Sequence, residues 1–289
     1  MDSITVKAYA KINLGLDVLR KREDGYHDVC MIMQSIKLCD TITIRREAAE
    51  GIRIRTNLPY LPDNQDNLVY KAAALLQQTL GIRDGLSIEL EKKIPVAAGL
   101  AGGSSNAAAT LLALNRLYQA GLPKSELRQL GVRLGADVPY CVMLGTALSE
   151  GIGEVLTPLP SMPSCSILLV KPDISVSTRY VYENLNLTED SAHPDIEAMK
   201  IALSRSDLYA LTRAMDNILQ SVTVKEYPII ADIKDKMKEL GALTSLMSGS
   251  GPTVFGIYQN QNFARKALNY FRKHRHYGKQ VYLTTPYWP

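Results

Sequence analysis

The feature that most constrains this chain is a run of small residues, Pro95-Val96-Ala97-Ala98-Gly99-Leu100-Ala101-Gly102-Gly103-Ser104-Ser105-Asn106-Ala107-Ala108-Ala109. Before it, residues 86–92 place apolar side chains at alternate positions, which predicts a strand. After it, residues 104–117 predict an alanine-rich helix with Leu111, Leu112, Leu114 and Leu117 as its apolar stripe. Glycine and alanine in such a loop let backbone N–H groups close on an anion, and the helix N-terminus adds unsatisfied donors and a positive dipole end. Ser104 and Ser105 can cap the helix, bond a phosphate oxygen or help to hold Mg²⁺. The plainer alternative is a flexible loop with serine caps. The length of the run and its place between a proline-bearing strand exit and a strong helix favour phosphate binding. No lysine follows the glycines, so this is not a GxxxxGK[ST] loop, and HRD and DFG are absent. The spacing of Gly99, Gly102 and Gly103 also fails the GxGxxG fingerprint.

Periodicity elsewhere predicts a mixed chain. In residues 3–17, Ile4, Val6, Ala8, Ala10, Ile12, Leu14 and Leu16 share one face, and Thr5, Lys7, Tyr9, Lys11, Asn13 and Asp17 the other. Period two predicts a strand with one buried face. Arg22-Glu23-Asp24-Gly25 reads as a turn. Strands are expected at 40–46 and 51–56, then a helix at 67–80 with Asp66 or Asn67 as N-cap and Gly81 as its stop. A helix at 124–134 ending at Gly135 and a strand at 140–149 follow. Three prolines within 158–164 mark a soft domain boundary. Beyond it come a strand at 166–170 and a mostly helical run to Gly241. Strands at 244–247 and 253–258 then flank a glycine turn, before a helix at 262–274 and a strand at 280–284. Strands that pair as antiparallel neighbours rather than in regular βα alternation make the class α+β.

Composition narrows the functional classes. A chain of 289 residues, 46% hydrophobic and 21% charged, can bury a substantial core in one large or two ordinary domains. It lacks the roughly 18 uninterrupted apolar residues of a membrane span. The start, MDSITVKAYAK, has no basic residues leading into an apolar stretch, so no secretory signal is expected. Cys30, Cys39, Cys141 and Cys165 are scattered, which suits a reduced cytoplasmic protein with core thiols better than a zinc site or disulfides. Without export, the glycosylation triplet Asn186-Leu187-Thr188 reads as chance. A net charge of +4 is too mild to argue for nucleic acid. The basic run Arg272-Lys273-His274-Arg275-His276 is expected to be a solvated helix end rather than a binding patch.

Three motifs, in order, resemble the signatures of the GHMP kinases (galactokinase, homoserine kinase, mevalonate kinase, phosphomevalonate kinase). The first is Lys7-Ala8-Tyr9-Ala10-Lys11-Ile12-Asn13-Leu14. The second is Pro95-x-x-x-Gly99-Leu100-x-Gly102-Gly103-Ser104-Ser105-x-Ala107-Ala108, and the third runs from Met247 through Ser248-Gly249-Ser250-Gly251 to Gly256. Within the family, AKINLGLDVLRKREDGYHDV, MIMQSIKLCDTITI and Leu134-Gly135-Ala136-Asp137-Val138-Pro139 are similar to one particular branch. That branch phosphorylates the 2-hydroxyl of a cytidine diphosphate-linked methylerythritol, in the non-mevalonate (methylerythritol phosphate) route of isoprene and terpenoid biosynthesis. Ala97, Ala98 and Ala101 depart from the pattern, since many relatives carry glycine there. Alanine does not adopt positive φ cheaply, so the loop is expected to be stiffer or differently threaded, with an altered nucleotide affinity.

The resemblance implies a two-domain α+β GHMP kinase fold. Residues 1–158 would form an N-terminal ATP-binding domain of ribosomal-protein-S5-domain-2 type and 159–289 a C-terminal domain, with the last strand free to return to the first domain. The active site would lie in the cleft between them. It implies ATP and Mg²⁺ with in-line transfer, no nucleic acid or membrane partner, a monomer or homodimer, and a cytoplasmic location.

By the same resemblance, Asp137 is the catalytic acid/base, and Lys11 acts with it near the hydroxyl and the γ-phosphate. Taken alone, Asp137 is either a turn residue or a carboxylate that needs a partner in apolar surroundings. Lys11 is either a surface lysine or, with Asn13, one of two side chains facing a cleft. The implied ATP site comprises Pro95, Val96, Ala97, Ala98, Gly99, Leu100, Ala101, Gly102, Gly103, Ser104 and Ser105, with Asn67 beside adenine. Asn67 is equally explained as a helix N-cap. The implied substrate site holds Asn13, Tyr26 stacked on cytosine, His27 bonding its edge, and Thr178 and Tyr182 flanking the cytidine. Ordinary helix packing explains the last pair as well. Gly249 and Ser250 would contact substrate or phosphate, the alternative being a tight hairpin turn. The metal ligands are unassigned.

Two other functions stand beside this one. Another GHMP small-molecule kinase, for homoserine, mevalonate or a sugar, gives no reason for Gly25-Tyr26-His27. A catalytically inactive GHMP-fold binding protein predicts loss of Lys11, Asp137 or the glycine loop, and all three are present.

Overall fold

A computed structural model describes residues 2–187, 191 and 193–289. Thr188 of the Asn186-Leu187-Thr188 triplet lies outside the described residues. The strands are β1 (Ser3–Lys21), β2 (His27–Glu47), β3 (Ile52–Thr56), β4 (Gly85–Glu91), β5 (Thr146–Glu150), β6 (Val155–Pro158), β7 (Ser166–Lys171), β8 (Thr244–Met247), β9 (Val254–Tyr258) and β10 (Gln280–Thr284). The helices are α1 (Leu68–Leu80), α2 (Gly102–Leu117), α3 (Lys124–Val132), α4 (Val138–Met143), α5 (Thr178–Glu183), α6 (Ile196–Ser204), α7 (Leu208–Ala214), α8 (Gln220–Glu226), α9 (Ile229–Glu239) and α10 (Gln261–Lys273).

Two compact units emerge, neither continuous in sequence. One takes residues up to Ala10, Leu38–Val96 and Ala101–Leu144; the other takes Lys11–Lys37, Ala97–Leu100 and Gly145–Pro289.

In the first unit β4 lies between β2 (antiparallel, Thr41↔Glu91 to Glu47↔Gly85) and β3 (parallel, Ile52↔Leu86 to Thr56↔Leu90). Ile42, Ile44, Ile54, Leu86 and Ile88 are buried, as are Val69, Ala72 and Leu76 of α1 and Leu111 and Leu114 of α2. Each such large side chain contributes about 1.5–3 kcal/mol on burial. α1 begins and ends as its caps dictate. Asn67 Oδ1 accepts the Val69 N–H at 2.9 Å, and Gly81 takes φ 67° at the C-terminal end.

A buried polar cluster fixes where β4 hands over to the small-residue segment. The Asp40 carboxylate, fully buried on β2, accepts the Lys92 ammonium, the Lys93 and Ile94 N–H groups at 2.6 and 2.8 Å, and Asn106 Nδ2 at 2.8 Å. Lys92 also donates to Asn106 Oδ1 at 2.9 Å, so the β4 exit and the first turns of α2 share one ion pair.

In the second unit β5 pairs antiparallel with β2 (Gln34↔Thr146 to Met31↔Ser149) and with β6. A separate antiparallel sheet runs β10-β7-β9-β8, with α9 and α10 packed on it. β10 therefore pairs with β7, and just beyond it Thr285 O accepts the Lys37 N–H at 3.0 Å while the Tyr287 N–H donates to Ser35 O at 2.8 Å. The four thiols are free, and burial pushes the Cys165 thiol up to about 12. Arg272, Lys273, Arg275 and His276 are exposed at the end of α10.

Two expectations are corrected. Residues 140–149 are not one strand: α4 occupies the first part, Leu144 breaks it at φ 65°, and β5 follows. Val138, Pro139, Tyr140, Cys141 and Val142 are all buried, so hydrophobicity carries no period there that separates helix from strand. Nor does β1 keep one buried face. Its alternation holds over the first residues, but from Ala10 to Val18 both faces are buried. Met199 of α6 packs where a Cβ on Gly15 would stand, and His193 Nδ1 lies 2.7 Å from Asp17 Oδ1, so the polar face is roofed.

Asp40→Ala should lower stability by about 3–5 kcal/mol, since it strands a buried ammonium and two backbone donors. Urea unfolding should show a lower midpoint at an unchanged slope.

Candidate active site

The small-residue segment takes a conformation its alanines resist. Ala97, Gly99 and Ala101 have φ of 49°, 74° and 54°, so alternate residues are left-handed and two of them are not glycine. Each alanine gives up about 1–2 kcal/mol there. Ala98 does not share the positive φ.

In the first unit Ala101 is the N-cap residue of α2 and supplies no side-chain cap. The expected serine caps are absent. Ser105 instead buries its hydroxyl, donating to Tyr9 O at 2.6 Å, and Ser104 lies with Oγ 3.9 Å from a Cβ placed on Gly135. The first turn of this 16-residue helix has no acidic side chain, which leaves its N–H groups and dipole end suited to an anion. Asp137 occupies the N-cap position of α4 and its carbonyl accepts the Cys141 N–H at 3.1 Å. Its half-buried carboxylate makes no capping bond to α4. Asn67, by contrast, uses both ends of its amide locally: besides capping α1 it donates to Pro62 O at 2.7 Å.

In the second unit the Lys11 N–H donates to Leu100 O at 3.1 Å, tying β1 to the Ala97–Leu100 stretch. Lys11 is a buried lysine, 5% exposed, and Nζ donates to Asn13 Oδ1 at 2.7 Å. Asn13 Nδ2 points at Met31 Sδ, 3.4 Å away. At Gly99 a Cβ would fall 2.1 Å from Ser248 O, and Ser248 Oγ donates to Gly99 O at 2.9 Å. The connection from β8 to β9 is six residues, 248–253, rather than a tight hairpin, with Gly249 and Gly251 at φ 57° and 91°. The Ser250 and Thr178 hydroxyls are 2.8 Å apart.

Tyr26 stands at the turn before β2, held by the Arg22 N–H to Tyr26 O bond at 2.8 Å, and the residue is 60% exposed. The His27 ring lies 5.0 Å from that of Tyr182, tilted by 39°. Burial, and secondarily Lys21, hold the His27 imidazole below its ordinary value, so near pH 7 it is neutral, with one donor and one acceptor nitrogen. Thr178 and Tyr182 are one turn apart on α5 and share a face.

The family model for the GHMP kinases N terminal domain matches residues 67–145, and that for GHMP kinases C terminal matches residues 199–276. The chain belongs to the GHMP kinase family. It is 56% identical, over 98% of its length and 97% of the relative's, to 4-diphosphocytidyl-2-C-methyl-D-erythritol kinase of Lachnoclostridium phytofermentans. A crystal structure of 4-(cytidine 5'-diphospho)-2C-methyl-D-erythritol kinase superposes with TM-score 0.85 at 33% identity, covering 99% of this chain and 100% of the other. Homoserine kinase from Cytophaga hutchinsonii shares the fold, with TM-score 0.82 at 24% identity over 99% and 95% of the two chains.

Within the second unit several motif residues of the family come together: Lys11 with Asn13, His27 with Tyr182, Thr178 with Ser250, and Gly99 with Ser248 and Gly249. Sequence reasoning missed Asn217, Gln220 and Thr223, whose side chains bond the backbone of residues 247–250. Polar residues three apart read as a solvated helix face, and only the spacing itself could have hinted at a common partner.

Ala101→Gly should hold or raise Tm, because it relieves a left-handed alanine; Ala98→Gly should lower stability by about 0.5–1 kcal/mol. Thermal unfolding of both variants checks the assignment, and equal shifts would contradict it.

Proposed function

We propose that this GHMP kinase transfers the γ-phosphoryl group of ATP to the 2-hydroxyl of 4-diphosphocytidyl-2-C-methyl-D-erythritol, in the non-mevalonate route to isoprenoid precursors. The observation that carries the substrate is the turn Gly25-Tyr26-His27 with Tyr182 beside the imidazole. An exposed aromatic face and a neutral imidazole match the face and the mixed donor–acceptor edge of cytosine, and a small amino acid or polyol needs neither. The 56% identical relative of that name supports the same reading.

Each role follows from the local chemistry. The 2-hydroxyl oxygen bonds to the γ-phosphorus, the bond from γ-phosphorus to the β–γ bridging oxygen breaks, and ADP leaves. The Asp137 carboxylate takes the hydroxyl proton. Lys11, oriented by Asn13, supplies positive charge to the transferring group. The α2 N-terminus at Gly102, Gly103 and Ser104, with residues 95–101, binds the phosphates, and Asn67 offers adenine its remaining amide proton. Gly249, Ser250 and Thr178 contact the substrate.

Among the described residues no three His, Cys, Asp or Glu side chains form a metal site. The Ser104 hydroxyl at the start of α2 would be the protein ligand of a Mg²⁺ held mainly by nucleotide phosphates and water. Bound so, Mg²⁺ would neutralise charge on the β- and γ-phosphates. The proposed domain boundary near residue 158 falls between the family matches at 67–145 and 199–276. No helix among the described residues is long and apolar enough to cross a membrane, and the free thiols suit the cytoplasm.

The test is ATP consumption with the diphosphocytidyl substrate. Asp137→Asn should lower kcat by about 10²- to 10⁴-fold. Tyr26→Ala should raise KM for the cytidyl substrate about tenfold and leave KM for ATP unchanged. Near-wild-type turnover by the first variant, or equal KM effects in the second, would sink these roles.

The depressed His27 value also sets a pH dependence. KM for the cytidyl substrate should stay flat from pH 8 to about 6.5, the ordinary histidine value, and rise only below it, as protonation removes the acceptor nitrogen. Steady-state KM measured against pH checks this, and a parallel rise in KM for ATP would point away from His27.

A further inference from the structure

We propose that Asn217 is a positioning residue for phosphoryl transfer, holding the Gly249–Ser250 backbone and, through it, the threading of Ala98–Leu100. This rests on the reading of Gly249 and Ser250 as substrate contacts. The connection from Ser248 to Thr253 carries left-handed glycines at 249 and 251, and such backbone has little stiffness of its own. Its own bonds, Ser248 N–H to Thr253 O and Gly251 N–H to Ser248 O at 2.9 Å each, close the turn and leave the Gly249 and Ser250 carbonyls to partners outside it.

The holding groups lie on one side. Asn217 is 1% exposed, and its Nδ2 donates to both Met247 O and Gly249 O, at 2.8 Å each. Its Oδ1 accepts the Leu219 N–H at 3.0 Å, which fixes the amide the right way round, because only the nitrogen end can serve two carbonyls. Gln220 Oε1 accepts the Met247 N–H at 3.1 Å, and Thr223 Oγ1 lies 3.4 Å from Ser250 O. Residues 217, 220 and 223 thus recur every three positions and present one row of polar ends from α8 and the turn before it.

The opposite side of the connection meets the motif residues. Ser248 Oγ donates to Gly99 O at 2.9 Å, and the Thr253 N–H donates to Ala98 O at 3.4 Å. A Cβ on Gly249 would stand 3.6 Å from Asn13 Oδ1, the atom that receives the Lys11 ammonium. A displaced Gly249 therefore shifts both the Gly99 backbone and the group that aims Lys11. Asn217 touches no reacting atom and acts through these contacts.

Asn217→Asp is the decisive variant. It keeps the oxygen that accepts Leu219 N–H and sets an acceptor against the Met247 and Gly249 carbonyls. On active-site-titrated enzyme, kcat should fall about 10- to 100-fold while KM for both substrates changes less than about threefold. Amide exchange across residues 247–253, read on the unliganded enzyme, should quicken about tenfold or more. Leu211→Ala, in the fully buried part of α7, is the control: it lowers Tm through a cavity and leaves titrated kcat within about twofold. If Asn217→Asp keeps wild-type titrated kcat, or loses activity only with its folded fraction as the control does, the positioning role is overturned. Should that variant not fold, Gln220→Met, which removes the acceptor for Met247 N–H at near-constant volume, should give the same signature more weakly. Unchanged kcat and exchange there would equally overturn it. Because exchange is read without turnover, a wild type inactive on the cytidyl substrate would refute the proposed reaction and leave exchange to judge Asn217.

Discussion

The carbonyl of Ser248 occupies the place where a side chain on residue 99 would begin, 2.1 Å from its Cβ position. Any residue but glycine there would have to move backbone, and the local geometry follows from that contact. Gly99 is left-handed, and the chain reaches and leaves it through two further left-handed residues, Ala97 and Ala101. Left-handed residues at alternate positions suit the concavities in which backbone N–H groups gather on an anion. Two alanines tolerate this because their surroundings over-determine it. Asp40 grips the chain just upstream, at Lys92, Lys93 and Ile94, and Ser248 grips it at Gly99. The two alanines therefore hold strain that glycine at those positions would relieve.

Two buried lysines reach the same burial from different sequence environments. Lys11 lies between Ala10 and Ile12 on β1 and Lys92 between Glu91 and Lys93 just past β4, yet both end at about the same exposure, 5% and 8%. Lys92 meets a fully buried carboxylate that also takes two backbone donors, an arrangement whose loss strands several groups at once. Lys11 donates to a neutral carboxamide that is itself oriented by Met31. The first arrangement locks a chain path, and the second holds an ammonium against a neutral amide.

Legibility in the sequence tracked burial. α1 was readable to its caps because Asn67 and Gly81 perform backbone tasks that few other residues do. β8 and β10 match their expected ranges, being short and sharply bounded. The first half of β2 and all of α4 were not readable, since burial on every side erases both the two-residue and the 3.6-residue period. The polar face of β1 misled for the same reason: what roofs it comes from residues 193–199, far along the chain. Within the candidate site, Lys11, Asn13, Tyr26, His27 and Asp137 stood out through family motifs. Asn217 did not, because a side chain that bonds a backbone carbonyl 30 residues away leaves no periodic trace.

The fold itself cannot choose the acceptor. Homoserine kinase from Cytophaga hutchinsonii and a mevalonate kinase share it, at TM-scores of 0.82 and 0.78 and identities of 24% and 18%. A fold shared by kinases named for such different substrates leaves the choice of acceptor to local groups. On the proposed reading, those groups here are a tyrosine on a turn and an imidazole tilted against Tyr182. The charge state of that imidazole then matters more than its position. A protonated ring offers two donors and no acceptor, which meets only half of a cytosine edge, and a cation also attracts phosphates of any nucleotide. Burial and the neighbouring Lys21 both disfavour that state. Lys21 sits at the end of β1 and His27 at the start of β2, so the turn that presents Tyr26 to solvent also sets the electrostatics of its neighbour. On that reading, substrate choice rests on a few residues around one exposed turn, separate in sequence from the segment read as binding phosphate.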